Sequence, residues 1–245
     1  MLAGISHDLR TPLARLRLET EMSVADEQAP GHMAADIDQV NAIIDKFLDY
    51  ARPDNLQPDR VNLNQVVDAA SAALGADPGT QITTRIPPDT MVLGDAVELQ
   101  RVFANLLENA QRYGRDPATG TVTIEIAAKE KDDWVLIKLR DHGPGVAPDM
   151  LGQLTQPFFR GDASRSAATG TGLGLSIVER ALIRMGGRFV LANSSTGGLS
   201  AHMKMLKAPP LGKAVARNKE PAQAADAPGA TAVSSTTARA SMERS

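Results

Sequence analysis

An α+β fold is predicted, in which a helical hairpin is followed by a two-layer α/β sandwich. Three observations carry this. Apolar residues recur in steps of four and three over residues 33–51, which is a helical seam. Beyond Val61 the pattern changes to short alternating runs interspersed with longer helical ones, the mark of mixed strands and helices packed in layers. Beyond Ala208 both patterns stop and Ala, Pro, Ser and Thr dominate, so 208–245 is expected to be a disordered tail.

The 245 residues suffice for one large domain or two small ones, and 42% apolar content supplies a core that Leu, Ile, Val and Ala must fill, because aromatics are only 3%. A net charge of −3 gives no hint of a nucleic-acid surface, and direct contact with nucleic acid is not expected. Without cysteine, disulfides and thiolate metal sites are excluded. The sequence holds no apolar run of about 18 residues and no signal peptide.

Residues 1–52 read as the hairpin. Its first arm offers Leu2, Ile5, Leu9, Leu13 and Leu16, and its second Met33, Ile37, Val40, Ile44, Phe47 and Ala51, with Pro30-Gly31 as the turn signal between them. One hairpin buries too little to be stable alone, so two are expected to pair into a dimeric four-helix bundle. Residues 53–60, opened by Arg52-Pro53-Asp54, read as a linker. The sandwich occupies 61–207. Helices are predicted over 63–74, 96–113 and 173–185, and strands over 82–86, 91–94, 121–128, 134–140, 188–191 and 200–206.

His7 lies two residues from Ile5 and Leu9, about 200° around a helix, so it points away from the seam into solvent. An exposed imidazole on a stiff helix can present a nucleophilic nitrogen. Asp8 can hydrogen-bond the ring and raise its basicity, and Thr11 follows one turn on, on the same face. Pro12 should bend the helix locally.

Asn105 and Asn109 share a helix face that Arg112 and Tyr113 extend by a turn, while Val102, Phe103, Leu106 and Ala110 are patterned for a core. Two carboxamides on an otherwise apolar helix need polar partners. A carboxamide oxygen suits Mg²⁺, which also takes water and phosphate oxygens. Asp141 ends a predicted strand and can accept a hydrogen bond from the exocyclic amine of adenine. Gly143 and Gly145 after it let backbone approach a flat ligand. Residues 146–172 read as a lid that the aromatics of Pro157-Phe158-Phe159-Arg160 can anchor. Gly170, Gly172 and Gly174, interleaved with Thr171 and Leu173, precede a helix whose N-terminus suits phosphate. A dinucleotide fingerprint is excluded because Leu175 stands where its third glycine is needed, and a Walker A lysine is missing.

In order, Ser6–Leu13, Asn105–Tyr113, Asp141–Gly145, Pro157–Arg160 and Gly170–Leu175 resemble the H, N, G1, F and G2 boxes of a two-component sensor histidine kinase. The strings Pro-Phe-Phe-Arg-Gly-Asp and Arg-Tyr-Gly resemble its EnvZ-type osmosensor branch. The resemblance covers residues 1 to about 207. It implies a dimerisation and histidine-phosphotransfer hairpin followed by a Bergerat-type ATP-binding sandwich. Its implied reaction is transfer from Mg-ATP to His7, then to an aspartate on the receiver domain of a response regulator, with dephosphorylation of that regulator as a second activity. By the same resemblance Asp8, Thr11 and Asn105 assist at the catalytic centre and Asn109 holds Mg²⁺. Nucleotide contacts are expected from Asn105, Asn109, Arg112, Tyr113, Asp141, Gly143, Gly145, Phe158, Arg160, Gly170, Thr171, Gly172, Leu173 and Gly174. The expected partners are a second copy and the receiver domain. The expected location is the cytoplasmic side of the bacterial inner membrane, with membrane attachment only through a sensor segment that this chain does not contain. His7 lies six residues from the start, which fits a fragment, a late start or a soluble remnant.

Overall fold

The computed structural model describes residues 13, 16, 29–50, 56–75, 77–160 and 171–210. His7, Asp8, Thr11 and Gly170 lie outside the described residues, as do most of the predicted first arm and the tail beyond residue 210. Leu13 and Leu16 are helical.

Helix α1 spans Ala29–Tyr50. It begins earlier than the sequence suggests, since Pro30-Gly31 lies inside its first turn and is not an inter-helix turn. A proline is tolerated there because the first N–H groups of a helix have no intrahelical acceptor to lose. The expected seam divides. Ile37 is buried, whereas Met33, Val40 and Phe47, spaced by seven, are exposed.

Strand β1 (Asp59–Asn62) pairs antiparallel with β3 (Met91–Gly94) in a small two-stranded sheet. Asp59 and Arg60, read from the sequence as linker, are therefore already in strand. Their pairing partner is some thirty residues away, and four residues with a single buried position carry no periodic signal. Helix α2 (Leu63–Ala73) follows directly, capped by the Asn62 side chain, which accepts from Gln65 N at 3.2 Å.

The main sheet has five strands in the order β2 (Thr80–Arg85), β4 (Val122–Lys131), β5 (Trp134–Asp141), β7 (Leu199–Leu206), β6 (Arg188–Asn193). Only β2 runs parallel to its neighbour, and the other pairings are antiparallel. Alternation decides which face is buried. Val122, Ile124 and Ile126 on β4 and Val135, Ile137 and Leu139 on β5 point to one side. That side meets α3 (Ala96–Tyr113), which lies between α2 and α4 (Gly174–Arg184). Leu99, Val102, Phe103, Leu106 and Leu107 of α3 join Val66 and Val67 of α2 and Val178 and Leu182 of α4 in one core. The result is the mixed two-layer α+β arrangement that the sequence predicts.

Helix α3 carries the polar pair Asn105 and Asn109, so its placement decides the site. Asp95 caps it, accepting from Val97 N at 3.0 Å and Glu98 N at 3.1 Å through one oxygen. The other oxygen accepts from Gln57 N at 2.9 Å, which ties the end of the linker to the helix start. Burial pushes the Asp95 carboxyl up, but the backbone donors of Gln57, Glu98 and Val97 and the charge of Arg184 outweigh it, and its pKa lies below the usual 3.8.

Asp95→Ala is expected to lower stability by about 1 kcal/mol, the usual cost of losing a helix cap. A carboxyl with a lowered folded pKa contributes fully above its ordinary value and loses that contribution as pH falls through the folded one. Urea unfolding of Asp95→Ala and parent should therefore differ at neutral pH and converge as pH falls below the ordinary 3.8 and through the lowered folded value. A constant difference across that range would assign the effect to something other than the ionised cap.

Candidate active site

A cavity of about 740 Å³ opens between α1, α3, the N-terminus of α4 and the loop after β5. Its volume suits a small-molecule ligand. Asn105, Asn109, Arg112 and Tyr113 line it from α3, as their shared face predicts. Asp141, Gly145, Arg160, Thr171, Gly172 and Gly174 line it from the other side. Three expected contact residues do not. Gly143 packs against the backbone of Gly114, Leu173 is fully buried at the start of α4, and Phe158 is 58% exposed. The neighbouring Phe159 lines the cavity instead.

Asp141 is 6% exposed and is held by backbone donors on one oxygen. Its Oδ1 accepts from Gly143 N and Leu199 N, both at 3.0 Å. The chain must come very close here. A Cβ on Gly198 would lie 1.9 Å from the Asp141 carbonyl oxygen, and φ there is +83°. A Cβ on Gly143 would lie 2.6 Å from Gly114 Cα, so the end of α3 and the loop after β5 meet with no side chain between them. Gly114 in turn lies against Asp141, since a Cβ on it would come within 2.6 Å of the Asp141 Cβ. The next turn is held by Asn193, which accepts from Val146 N at 3.0 Å and donates to Val146 O at 2.6 Å.

Of the expected lid, residues 161–170 lie outside the described residues, and on either side of them Phe158 N donates to Gly172 O at 2.9 Å. Both residues have positive φ, Phe158 at 65° and Gly172 at 69°. A Cβ on Gly172 would lie within 2.9 Å of the Phe158 backbone, so glycine is required on steric grounds as well. The apolar wall includes Val146, Met150, Leu154, Leu175 and Leu199.

Asn105 is 4% exposed. Its Nδ2 donates to Arg101 O at 2.9 Å, so Oδ1 is its acceptor and receives Lys46 Nζ at 3.0 Å. Lys46 Nζ also meets Glu108 Oε2 at 3.1 Å. Two further contacts hold α1 against the sandwich. Arg101 donates to the Asp49 carbonyl at 3.0 Å, and the Arg180 guanidinium lies 5.1 Å from the centre of the Tyr50 ring. Sequence reasoning missed Lys46, Asn193, Gly198 and Leu199. For the glycine, the Gly197-Gly198 pair was the available signal.

Among the described residues no group of three or more His, Asp or Glu could hold a metal by itself. Asn109 offers one neutral oxygen ligand in the cavity wall. That donor set fits Mg²⁺, which takes few protein ligands and completes its shell with water and phosphate. No described helix is long and apolar enough to cross a membrane.

Comparison with known proteins agrees with this geometry. Residues 94–209 match the family described as histidine kinase-, DNA gyrase B- and HSP90-like ATPase, and residues 1–56 match the His Kinase A phospho-acceptor domain. Sensor protein RstB of Escherichia coli (strain K12) is 35% identical over 210 residues, covering 81% of this chain and 46% of that protein. The signal transduction histidine-protein kinase BaeS of the same organism is 31% identical over 218 residues, covering 83% of this chain and 46% of its own length. The chain thus spans about half the length of the curated relatives it matches. Two solved structures share the fold. Full-length ShkA in complex with AMPPNP superposes with a TM-score of 0.64 at 24% identity, over 84% of this chain and 46% of that one. The Acinetobacter baumannii histidine kinase AdeS gives 0.59 at 19%, over 82% and 98%. With a phospho-acceptor match, an ATPase match and curated relatives of one kind, the chain belongs to the two-component sensor histidine kinase family.

Proposed function

We propose that this chain is the catalytic core of an ATP-dependent protein-histidine kinase that phosphorylates His7 from Mg-ATP and passes the phosphoryl group to an aspartate of a response-regulator receiver domain. One observation carries the reading: Asn109, Asp141 and the glycines opening α4 face a single cavity. That combination suits a magnesium nucleotide. Asp141 has its described bonds on Oδ1, which leaves Oδ2 to accept from an adenine amine. Gly172 and Gly174 bring backbone N–H groups and the positive end of a helix dipole to the phosphates. Arg112, Arg160 and Thr171 add donors, and Tyr113 an aromatic face. Asn109 would hold Mg²⁺, which supplies neutralisation of phosphate charge. The likeness to a structure containing AMPPNP supports the nucleotide assignment.

His7 rests on its motif and on the phospho-acceptor match over residues 1–56. Its imidazole nitrogen attacks the γ-phosphorus and the bond to the β-phosphate oxygen breaks, leaving ADP. Positioning and charge neutralisation do most of the work in such a transfer. Asp8 orients the ring, and Asn105 helps order the centre. The regulator's aspartate carboxylate then takes the phosphoryl group from His7. Thr11, one turn on, would align a water for the reverse task of dephosphorylating the regulator.

The reading extends to assembly and location. The exposed stripe of Met33, Val40 and Phe47 supports pairing with a second copy, because a seven-residue apolar repeat suits a bundle seam. The hairpin (1–52) and a linker (53–58) precede the catalytic sandwich, which takes in Asp59 and Arg60 of β1 at one end and the buried Ala208, whose N–H donates to Met91 O at 3.0 Å, at the other, and the remainder to 245 serves as tail. Kinship with sensor kinases supports action on the cytoplasmic side of the inner membrane.

Incubation with γ-labelled ATP should give a label that acid removes, since phosphohistidine is acid-labile. An acid-stable label would indicate a serine or threonine kinase, and no label a binding scaffold. His7→Gln should abolish labelling while ATP affinity stays nearly unchanged, and histidine label persisting in that variant would refute the acceptor assignment. Asn109→Ala should lower kinase activity by roughly 100-fold or more without unfolding the chain. Normal Mg²⁺ dependence in that variant would move the metal elsewhere. Thr11→Ala should lengthen the regulator-phosphate lifetime more than it slows His7 labelling. Equal losses in both rates would make Thr11 a structural residue.

A further inference from the structure

Resting on the ATP reading above, we propose that Lys46 is a nucleotide-binding residue that the hairpin supplies to the sandwich, its ammonium reading the terminal phosphate of the bound triphosphate. Lys46 lines the cavity together with Ala42 of the same helix, so the ligand site is not built from the sandwich alone. Its side chain is 28% exposed, partly withdrawn from water yet open to the cavity.

The ammonium is located by a rigid partner. Asn105 is buried, and its amide nitrogen is committed to Arg101 O within α3, which turns its oxygen toward Lys46. That same oxygen lies beside α4, because a Cβ on Gly174 would come within 3.3 Å of it. One carboxamide therefore stands between the Lys46 cation and the first residue of α4. The glycine leaves that space open. Phosphate held at the α4 N-terminus would have the ammonium as its neighbour, in a part-buried setting where a charge-assisted hydrogen bond is stronger than in water.

Donor arithmetic points the same way. A lysine ammonium carries three N–H donors, and two are used by Asn105 and Glu108 among the described residues. The third remains for a ligand. Glu108 offsets the positive charge, so the cation can rest there without a bound anion. Asp49 with Arg101 and Tyr50 with Arg180 fix the helix one turn beyond this point.

The contact ties ligand to domain arrangement. A triphosphate that touches Lys46 holds the hairpin helix against the sandwich, and a diphosphate reaches it less well. Loss of the γ-phosphoryl group would then loosen α1, and by linkage a docked α1 binds triphosphate more tightly.

Calorimetric titration of the full chain with AMPPNP, ADP and adenosine, all with Mg²⁺, tests this on the parent, Lys46→Met and Lys46→Arg. Lys46→Met keeps the length and apolar stem of the side chain. It should weaken AMPPNP binding roughly tenfold, the weight of one charge-assisted hydrogen bond. ADP should weaken by less than about threefold through residual long-range charge, and adenosine should not change. Lys46→Arg should retain most of the AMPPNP affinity. Equal weakening of all three ligands in Lys46→Met would overturn the inference and leave Lys46 a docking residue. Unchanged or tighter AMPPNP binding would overturn it too, the latter by showing that the ammonium excludes the nucleotide. A parent that binds no AMPPNP would sink the ATP reading itself, and this inference with it.

Discussion

Burial of α3 on one face only is the constraint on which the rest of the structure depends. Leu99, Val102, Phe103, Leu106 and Leu107 are sunk in the core between sheet, α2 and α4. The remaining face carries Asn105, Asn109, Arg112 and Tyr113 into the cavity. A helix turned by a fraction of a turn would bury carboxamides without partners, at a cost of a few kcal/mol each. Both ends are tied down. Asp95 caps the first turn and also holds Gln57, while Gly114 brings the last turn against Gly143. The apolar packing that stabilises the domain thus also orients the polar groups that line the cavity.

Close backbone approach does for Asp141 what side-chain packing does for α3. Its carboxylate is held by two backbone N–H groups from different strands' ends, and Gly198 leaves room for the crossing. Fixed main-chain donors need no reorganisation when a ligand arrives, which is the condition for a preorganised site. The turn that follows is locked by the reciprocal pair of bonds between Asn193 and Val146. By contrast, the opposite rim is closed at Phe158 and Gly172, where both residues adopt the left-handed backbone conformation.

Helix α1 meets the sandwich through polar contacts, namely Lys46 with Asn105 and Glu108, Asp49 with Arg101, and Tyr50 with Arg180. Partly exposed ion pairs of this kind contribute only modestly and are screened by salt. Such an interface can come apart and re-form, whereas an apolar one of the same extent would hold more firmly. The exposed Met33, Val40 and Phe47 stripe leaves the same helix an apolar surface for a different contact.

Periodicity and turn chemistry alone determined the type of most described elements. β3 and α3 have the predicted bounds, while the other predicted strands and helices shift by a few residues at their ends, because frayed termini carry weaker patterns. The polar face of α3 was likewise legible, since a helix fixes which residues share a side. Short-range signals failed where meaning depends on a distant partner. Pro30-Gly31 reads as a turn until the helix around it is seen, and β1 is a strand only because Met91–Gly94 lies beside it. Strand order, with β2 parallel to β4, is set by how the core closes and not by any one strand's pattern. The same holds for Lys46, Asn193, Gly198 and Leu199. Each acts through a contact spanning about fifty residues or more of chain, and that proximity exists only after helices and sheet have packed.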